Sequence, residues 1–158
     1  MLRDSWTKNM CTSIDSIQKF YNNLNNSVFV LDSSYILSNK SLPLSYITLV
    51  PTVVLDELWG LQANIGKKLR KRAKYATKVT ERFIEESEIF TLVEPYQFEE
   101  VRHIFSSIKA KGKDIDGLIL SLCIFLQLQN PQKRIVLLTN DRGLIKRCKR
   151  EYIKTEID

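Results

Sequence analysis

Four carboxylates stand at positions where a charged side chain needs a reason. Asp32 directly follows the apolar run Val28–Leu31, and Asp141 follows Ile135–Leu138 with only Thr139 and Asn140 between. Both runs read as buried strands, and open α/β sheets bind ligands beyond the carboxyl ends of their strands. A single Asp at such a place more often caps the next helix. Glu57 rests on a different argument. Pro51 and Thr52 open a helix to about Ile65, and a step of ~100° per residue puts Val54, Leu58, Leu61 and Ile65 on its apolar face. Glu57 falls on the shoulder of that face and Asp56 nearly opposite, toward solvent. A carboxylate beside a core face is costly unless it has a partner such as a cation. Asp114-Ile115-Asp116-Gly117 opens a helix that is apolar nearly all round, with its acids at the positive end. Asp114 is suited to the N-cap or a supporting role, and Asp116, on the side of Leu120 and Cys123, faces inward. Acids gathered at one sheet edge repel, which raises their pKa values. A hard divalent cation, Mg²⁺ or Mn²⁺, relieves this through carboxylate and water oxygens.

The elements that must hold these acids alternate along the chain. Ile14, Ile17, Phe20, Tyr21 and Leu24 have helical spacing over 13–24, and residues 1–26 read as a helical extension of one domain spanning 27–158. Strands are expected at 28–31, 46–50, 89–93, 135–138 and, briefly, 152–155. A polar stretch with Pro43 follows Asp32. Helices are expected at 51–65, 67–86, 97–109, 114–129 and 142–150. This alternation implies an α/β fold with a mostly parallel sheet covered on both faces.

Charge indicates the partner. The net charge is +6 and the isoelectric point is near 9.2, which favours an anionic partner. Lys67, Lys68, Arg70, Lys71, Arg72, Lys74, Lys78 and Arg82 crowd one helix, while Arg142, Lys146 and Arg147 follow Asp141. Such side chains contact phosphates without reading sequence, although a solvated helix face is the plainer alternative. Three scattered cysteines and one histidine argue against a zinc site or disulfide framework, and favour a reducing intracellular setting. His103 reads as a surface residue and Cys123 as core filler. Trp59, off the core face, is expected to pack on a neighbouring element rather than stack a base. The polar N-terminus lacks the apolar centre of a signal peptide, and no stretch approaches the length of a membrane span. Five glycines with no GxGxxG or Walker pattern make a nucleotide-binding Rossmann domain remote.

The segments VFVLDSSYIL, VPTVVLDELWGL, DIDGLILSLC and VLLTNDRGL resemble, in order, the four motifs of PIN-domain nucleases. The resemblance covers roughly residues 27–155 and is nearest the eukaryotic branch, which includes endonucleases of nonsense-mediated decay and of nuclear mRNP surveillance at the nuclear pore. It implies a Rossmann-like five-stranded parallel sheet and Mg²⁺- or Mn²⁺-dependent cleavage of single-stranded RNA, leaving 5′-phosphate and 3′-hydroxyl ends. Asp32, Glu57, Asp116 and Asp141 would be the metal-binding and catalytic acids, with Ser33, Ser34, Asp114, Thr139 and Asn140 supporting them. It further implies work in the nucleus or at its periphery, beside other domains of a longer chain or mRNP and nuclear-pore proteins. Where the family commonly has Thr then Asn after the first acid, Ser33 and Ser34 stand here, so one amide is replaced by a hydroxyl. Two other readings remain: a PIN module that binds RNA or protein without cutting, and a bacterial-type toxin ribonuclease. A flap-type DNA nuclease usually carries more acids and additional helices.

Overall fold

The computed structural model describes residues 10–11, 26–38, 42–43, 46–63, 66–87 and 90–155. Five strands form one parallel sheet: β1 (Met10–Cys11), β2 (Ser27–Leu31), β3 (Ile47–Pro51), β4 (Phe90–Val93) and β5 (Arg134–Leu138). From Val28 to Leu31, Ile47 to Pro51, Phe90 to Val93 and Ile135 to Leu138 every side chain is buried. That is the continuous apolar pattern of strands covered on both faces. The sheet and the helices packed on it share one hydrophobic core.

The helices are α1 (Ser33–Leu37), α2 (Thr52–Gln62), α3 (Lys67–Glu86), α4 (Glu99–Ser107), α5 (Ile115–Gln129) and α6 (Arg142–Arg150). A 3-10 turn at Pro95–Gln97 precedes α4. The apolar helix expected around 114–129 is α5, buried from Gly117 through Cys123. Phe125 of α5 packs against Phe98 at a ring separation of 5.1 Å. Helix α3 begins and ends as expected, with Ala73, Ala76, Thr77, Thr80 and Ile84 turned inward.

Strand order is β1-β4-β3-β2-β5. The chain steps outward from β2 to β3 to β4, then crosses back to lay β5 on the other side of β2. The order therefore reverses between β2 and β5, and it is there, beyond the carboxyl ends, that such sheets open a crevice. The two strands are in register from Ser27–Arg134 to Leu31–Leu138, and the Asp32 backbone N–H donates to the Leu138 carbonyl at 3.0 Å. Asp32 and the segment Thr139–Asp141 are thus side by side at the reversal.

Three expectations need correction. The fifth strand is Met10–Cys11, beside β4, within the segment expected to be helical. The segment 152–155 contributes one bridge, Lys154 to Val136, in place of a strand. The polar stretch after Asp32 begins with a helix, α1. The helix expected at 13–24 and the residue Ile65 lie outside the described residues.

Candidate active site

Asp32 is only 3% exposed and sits between β2 and α1. Its Oδ2 accepts two hydroxyls, from Ser34 at 2.6 Å and from Thr139 at 2.7 Å. Those hydroxyls lie 3.1 Å from each other. The Ser34 hydroxyl oxygen also accepts the Asn140 backbone N–H at 3.0 Å, and the Asn140 amide donates to the Ser34 carbonyl at 3.3 Å. Ser34 therefore ties the end of β2 to the end of β5. The substitution of hydroxyl for the family's amide leaves a residue that positions the first acid. Among the described residues, none donates a hydrogen bond to Asp32 Oδ1.

Glu57 lies on α2, half-buried, with the Ser33 hydroxyl 3.4 Å from its Oε1. Burial first, then the charges of Asp32 and Asp116, push its pKa up to about 7, while the Ser33 hydroxyl pulls the other way. Asp116, in the first turn of α5, is also raised, by burial and by Asp32 and Asp141. Asp32, Glu57, Asp116 and Asp141 are thereby linked into one electrostatic cluster. Asp141 is more exposed and has a capping duty: its Oδ1 accepts the Leu144 N–H at 3.0 Å. Its own N–H donates to the Thr139 hydroxyl at 3.0 Å.

Asp114 is the N-cap of α5, accepting the Gly117 N–H at 2.9 Å. It is also held by Arg147, whose two terminal nitrogens reach its two oxygens at 3.0 and 2.9 Å. The guanidinium keeps the Asp114 carboxyl below its ordinary range. Arg147 is thus engaged among the acids and braces α6 against the start of α5, whereas Arg142 and Lys146 are exposed. Spacing along α6 gave no sign of this, because the partner lies 33 residues away in sequence.

Of the other residues considered, Asp56 is half-buried rather than turned to solvent, because α2 is covered more widely than one stripe and Leu55 is fully buried. Trp59 is 37% exposed, and its indole is among the groups that pull the Glu81 carboxyl of α3 down against the rise caused by burial, which places it next to that helix. His103 is exposed and 3.6 Å from Glu99. Cys123 and Cys148 are buried, and burial pushes Cys148 up to about 12, which makes it a poor nucleophile. Glu94 also follows a strand, yet it accepts the Thr52 hydroxyl at 3.0 Å and stands at β4, away from the reversal.

Helix α3 packs against α1, the helix that begins next to Asp32. Arg72 donates to the Leu37 carbonyl at the end of α1. Lys67, Lys68, Arg70, Lys71, Arg72 and Lys74 are all exposed. The first turn of α3 contains no acid. Cations at the positive end of a helix cost a few tenths of a kcal/mol each, roughly, so this run does not serve helix stability.

Among the described residues no three His, Cys, Asp or Glu side chains are placed to grip one ion together. The donor set still fits Mg²⁺ or Mn²⁺. It consists of hard carboxylate oxygens, and its members repel without a counter-charge. Mg²⁺ commonly keeps several waters and binds through one or two carboxylates, which suits a wide cluster.

A profile of the PIN domain family matches residues 29–157. The chain belongs to the PIN domain family. PIN domains are generally nucleases and typically use divalent metals. Among solved structures, the RRP44 PIN domain from T. brucei is similar to this PIN domain, with a TM-score of 0.51 and 15% identity over 76% of this chain and 68% of that one. At that identity the likeness shows the fold alone. No curated protein matches the sequence.

The raised acids have a measurable consequence. A folded Glu57 with a pKa of about 7, against an ordinary 4.5, holds a proton that the unfolded chain has already released. The folded state then binds more protons across that window, so metal-free stability falls as pH rises from about 4.5 to 7. Discounted for partial exposure, the loss is on the order of 2 kcal/mol. In EDTA, Glu57→Gln should match wild type near pH 4.5 and melt above it near pH 8. Melting curves that stay parallel across that range would show that burial and the neighbouring acids do not raise Glu57.

Proposed function

We propose that this PIN domain is a metal-dependent endoribonuclease that hydrolyses single-stranded RNA. The observation that carries this reading is the gathering of Asp32, Glu57, Asp116 and Asp141 where the strand order reverses. Asp32 and Asp141 would hold the ion, with Asp116 binding it or a water beside it. When bound, a divalent ion lowers the pKa of water and offsets charge on the phosphate. Glu57 would orient the attacking water or ligate the ion directly. Ser34 and Thr139 fix the Asp32 carboxylate through its Oδ2. The Arg147–Asp114 pair braces α6 against the start of α5, where Asp116 stands. The basic half of α3, with Arg142 and Lys146, would offset the repulsion between an acidic site and a polyanion.

The motif resemblance further supports work in nuclear mRNA quality control, in the nucleus or at its periphery, beside mRNP or nuclear-pore proteins or other domains. A second reading, a module that binds RNA or protein without cutting, draws on the lack of three acids converging on one ion among the described residues. End-labelled single-stranded RNA separates the two. Incubation with Mn²⁺ or Mg²⁺, but not EDTA, is expected to give fragments with 5′-phosphate and 3′-hydroxyl ends. RNA bound but intact in both metals would favour the binding module.

A further inference from the structure

On helix α3, Tyr75 is 67% exposed in the middle of the basic run. At ~100° per residue it shares a stripe with Lys68, Lys71 and Lys78, nearly opposite the buried residues Ala73, Thr80 and Ile84. Lys68, Lys71 and Lys78 are exposed as well. The helix has no acid from Lys67 through Thr80. The Tyr75 ring makes no aromatic contact with the described residues, unlike Tyr46, which sits 4.8 Å from Phe29. Tyrosine is a weaker helix former than the Lys and Arg around it, so neither core packing nor helix propensity explains it there.

We propose that Tyr75 is a stacking platform for an unpaired base, set among phosphate-binding lysines on a track along α3 that leads single-stranded RNA to the acid cluster. The proposal rests on the ribonuclease reading and adds where the strand runs and what holds its bases. Alternating cations and an aromatic ring suit a single strand: the cations follow the backbone, and every base offers a face to stack. A duplex would use only the cations, because its bases are already stacked in pairs. The track is close to the site. Arg72 reaches the end of α1, which rises about 1.5 Å per residue from beside Asp32, and Tyr75 is one turn farther along α3. The basic run of α3 and the helix that starts at Asp32 are thus joined by a direct contact.

The test is binding in EDTA, where nothing is cut, of a fluorescently labelled single-stranded oligoadenylate, its abasic counterpart and a duplex RNA. Tyr75→Ala is expected to weaken oligoadenylate binding roughly 5- to 100-fold without changing its salt slope, and to leave abasic and duplex binding within about twofold. Tyr75→Phe should bind like wild type. Lys71→Ala should instead lower the salt slope by about 0.7. Wild-type binding by Tyr75→Ala, an equal loss in Tyr75→Phe, or an equal loss on abasic or duplex RNA would overturn the stacking role. If Lys71→Ala and Lys78→Ala also bind as wild type, with unchanged slopes, the track itself fails. Neither outcome depends on cleavage, so the nuclease reading stands or falls separately.

Discussion

Asp32→Asn is expected to reduce cleavage by at least about 100-fold while the metal-free protein melts at or above the wild-type temperature. Residues that merely support a metal ligand are worth about 10- to 100-fold in affinity or activity, so a direct ligand should reach the upper end or beyond. The stability half follows from electrostatics. Asp32 is almost fully buried, and its charge is among the causes that raise Glu57 and Asp116. A neutral amide removes that repulsion, and its oxygen can still accept the Ser34 and Thr139 hydroxyls. Initial rates on labelled RNA and a thermal melt in EDTA check both halves. Full activity would remove Asp32 from the site. Lost activity with a lower melting temperature would make its carboxylate a structural group instead.

Gly117→Ala is expected to cost about 1–3 kcal/mol of stability, although it replaces glycine by the best helix former. A Cβ there would run into Asp114 Oδ2 and come within 2.8 Å of Asp114 Cγ and 2.9 Å of Ala110 Cβ. The Asp114 carboxylate cannot swing aside freely, because Arg147 holds both of its oxygens and the Gly117 N–H bonds one. Losing the cap alone costs about 1 kcal/mol, and overpacking adds about 1–3, against roughly 1 regained in propensity. For a chain of this size that lowers the melting temperature by about 3–10 °C. Gly60 is the control: a Cβ meets nothing within 4 Å, and its place in α2 is exposed, so Gly60→Ala should stabilise by about 0.4–1 kcal/mol. A Gly117→Ala protein that melts as high as wild type would mean that the start of α5 shifts easily. Asp116 would then not be held in place by this contact.

What the sequence made legible follows a physical division. Long periodic segments were readable: α3 needs only its alternation of exposed cations and inward Ala, Thr and Ile, and α5 only its apolar surface and Asp114 cap. The strands β2, β3, β4 and β5 are nearly continuous apolar runs and were found to within a residue or so. Short elements were not readable, because their stability comes from elsewhere. Helix α1 is five residues long, too short to stand alone, and is held at its start by the Ser34 hydroxyl donating to Asp32 and at its end by Arg72. The two residues of β1 are a strand only because β4 is beside them. At the site, Asp32 and Asp141 were visible because they follow strands, and Glu57 because it breaks an apolar shoulder. Spacing could not show that Ser34 joins two strand ends or that Arg147 is turned onto Asp114, since both depend on partners far along the chain. Tyr75 is inconspicuous for a different reason: an aromatic in a basic helix is unremarkable until its exposure is known.

The most direct test of the central claim uses circular single-stranded RNA, which has no ends for an exonuclease. Wild type and Asp32→Asn would each be incubated with it in Mn²⁺, in Mg²⁺ and in EDTA. Linear products from wild type in at least one metal, absent in EDTA and with Asp32→Asn, are the predicted result. Circles that stay intact in both metals, or that the variant opens as fast as wild type, would contradict a metal-dependent endoribonuclease built on this acid cluster.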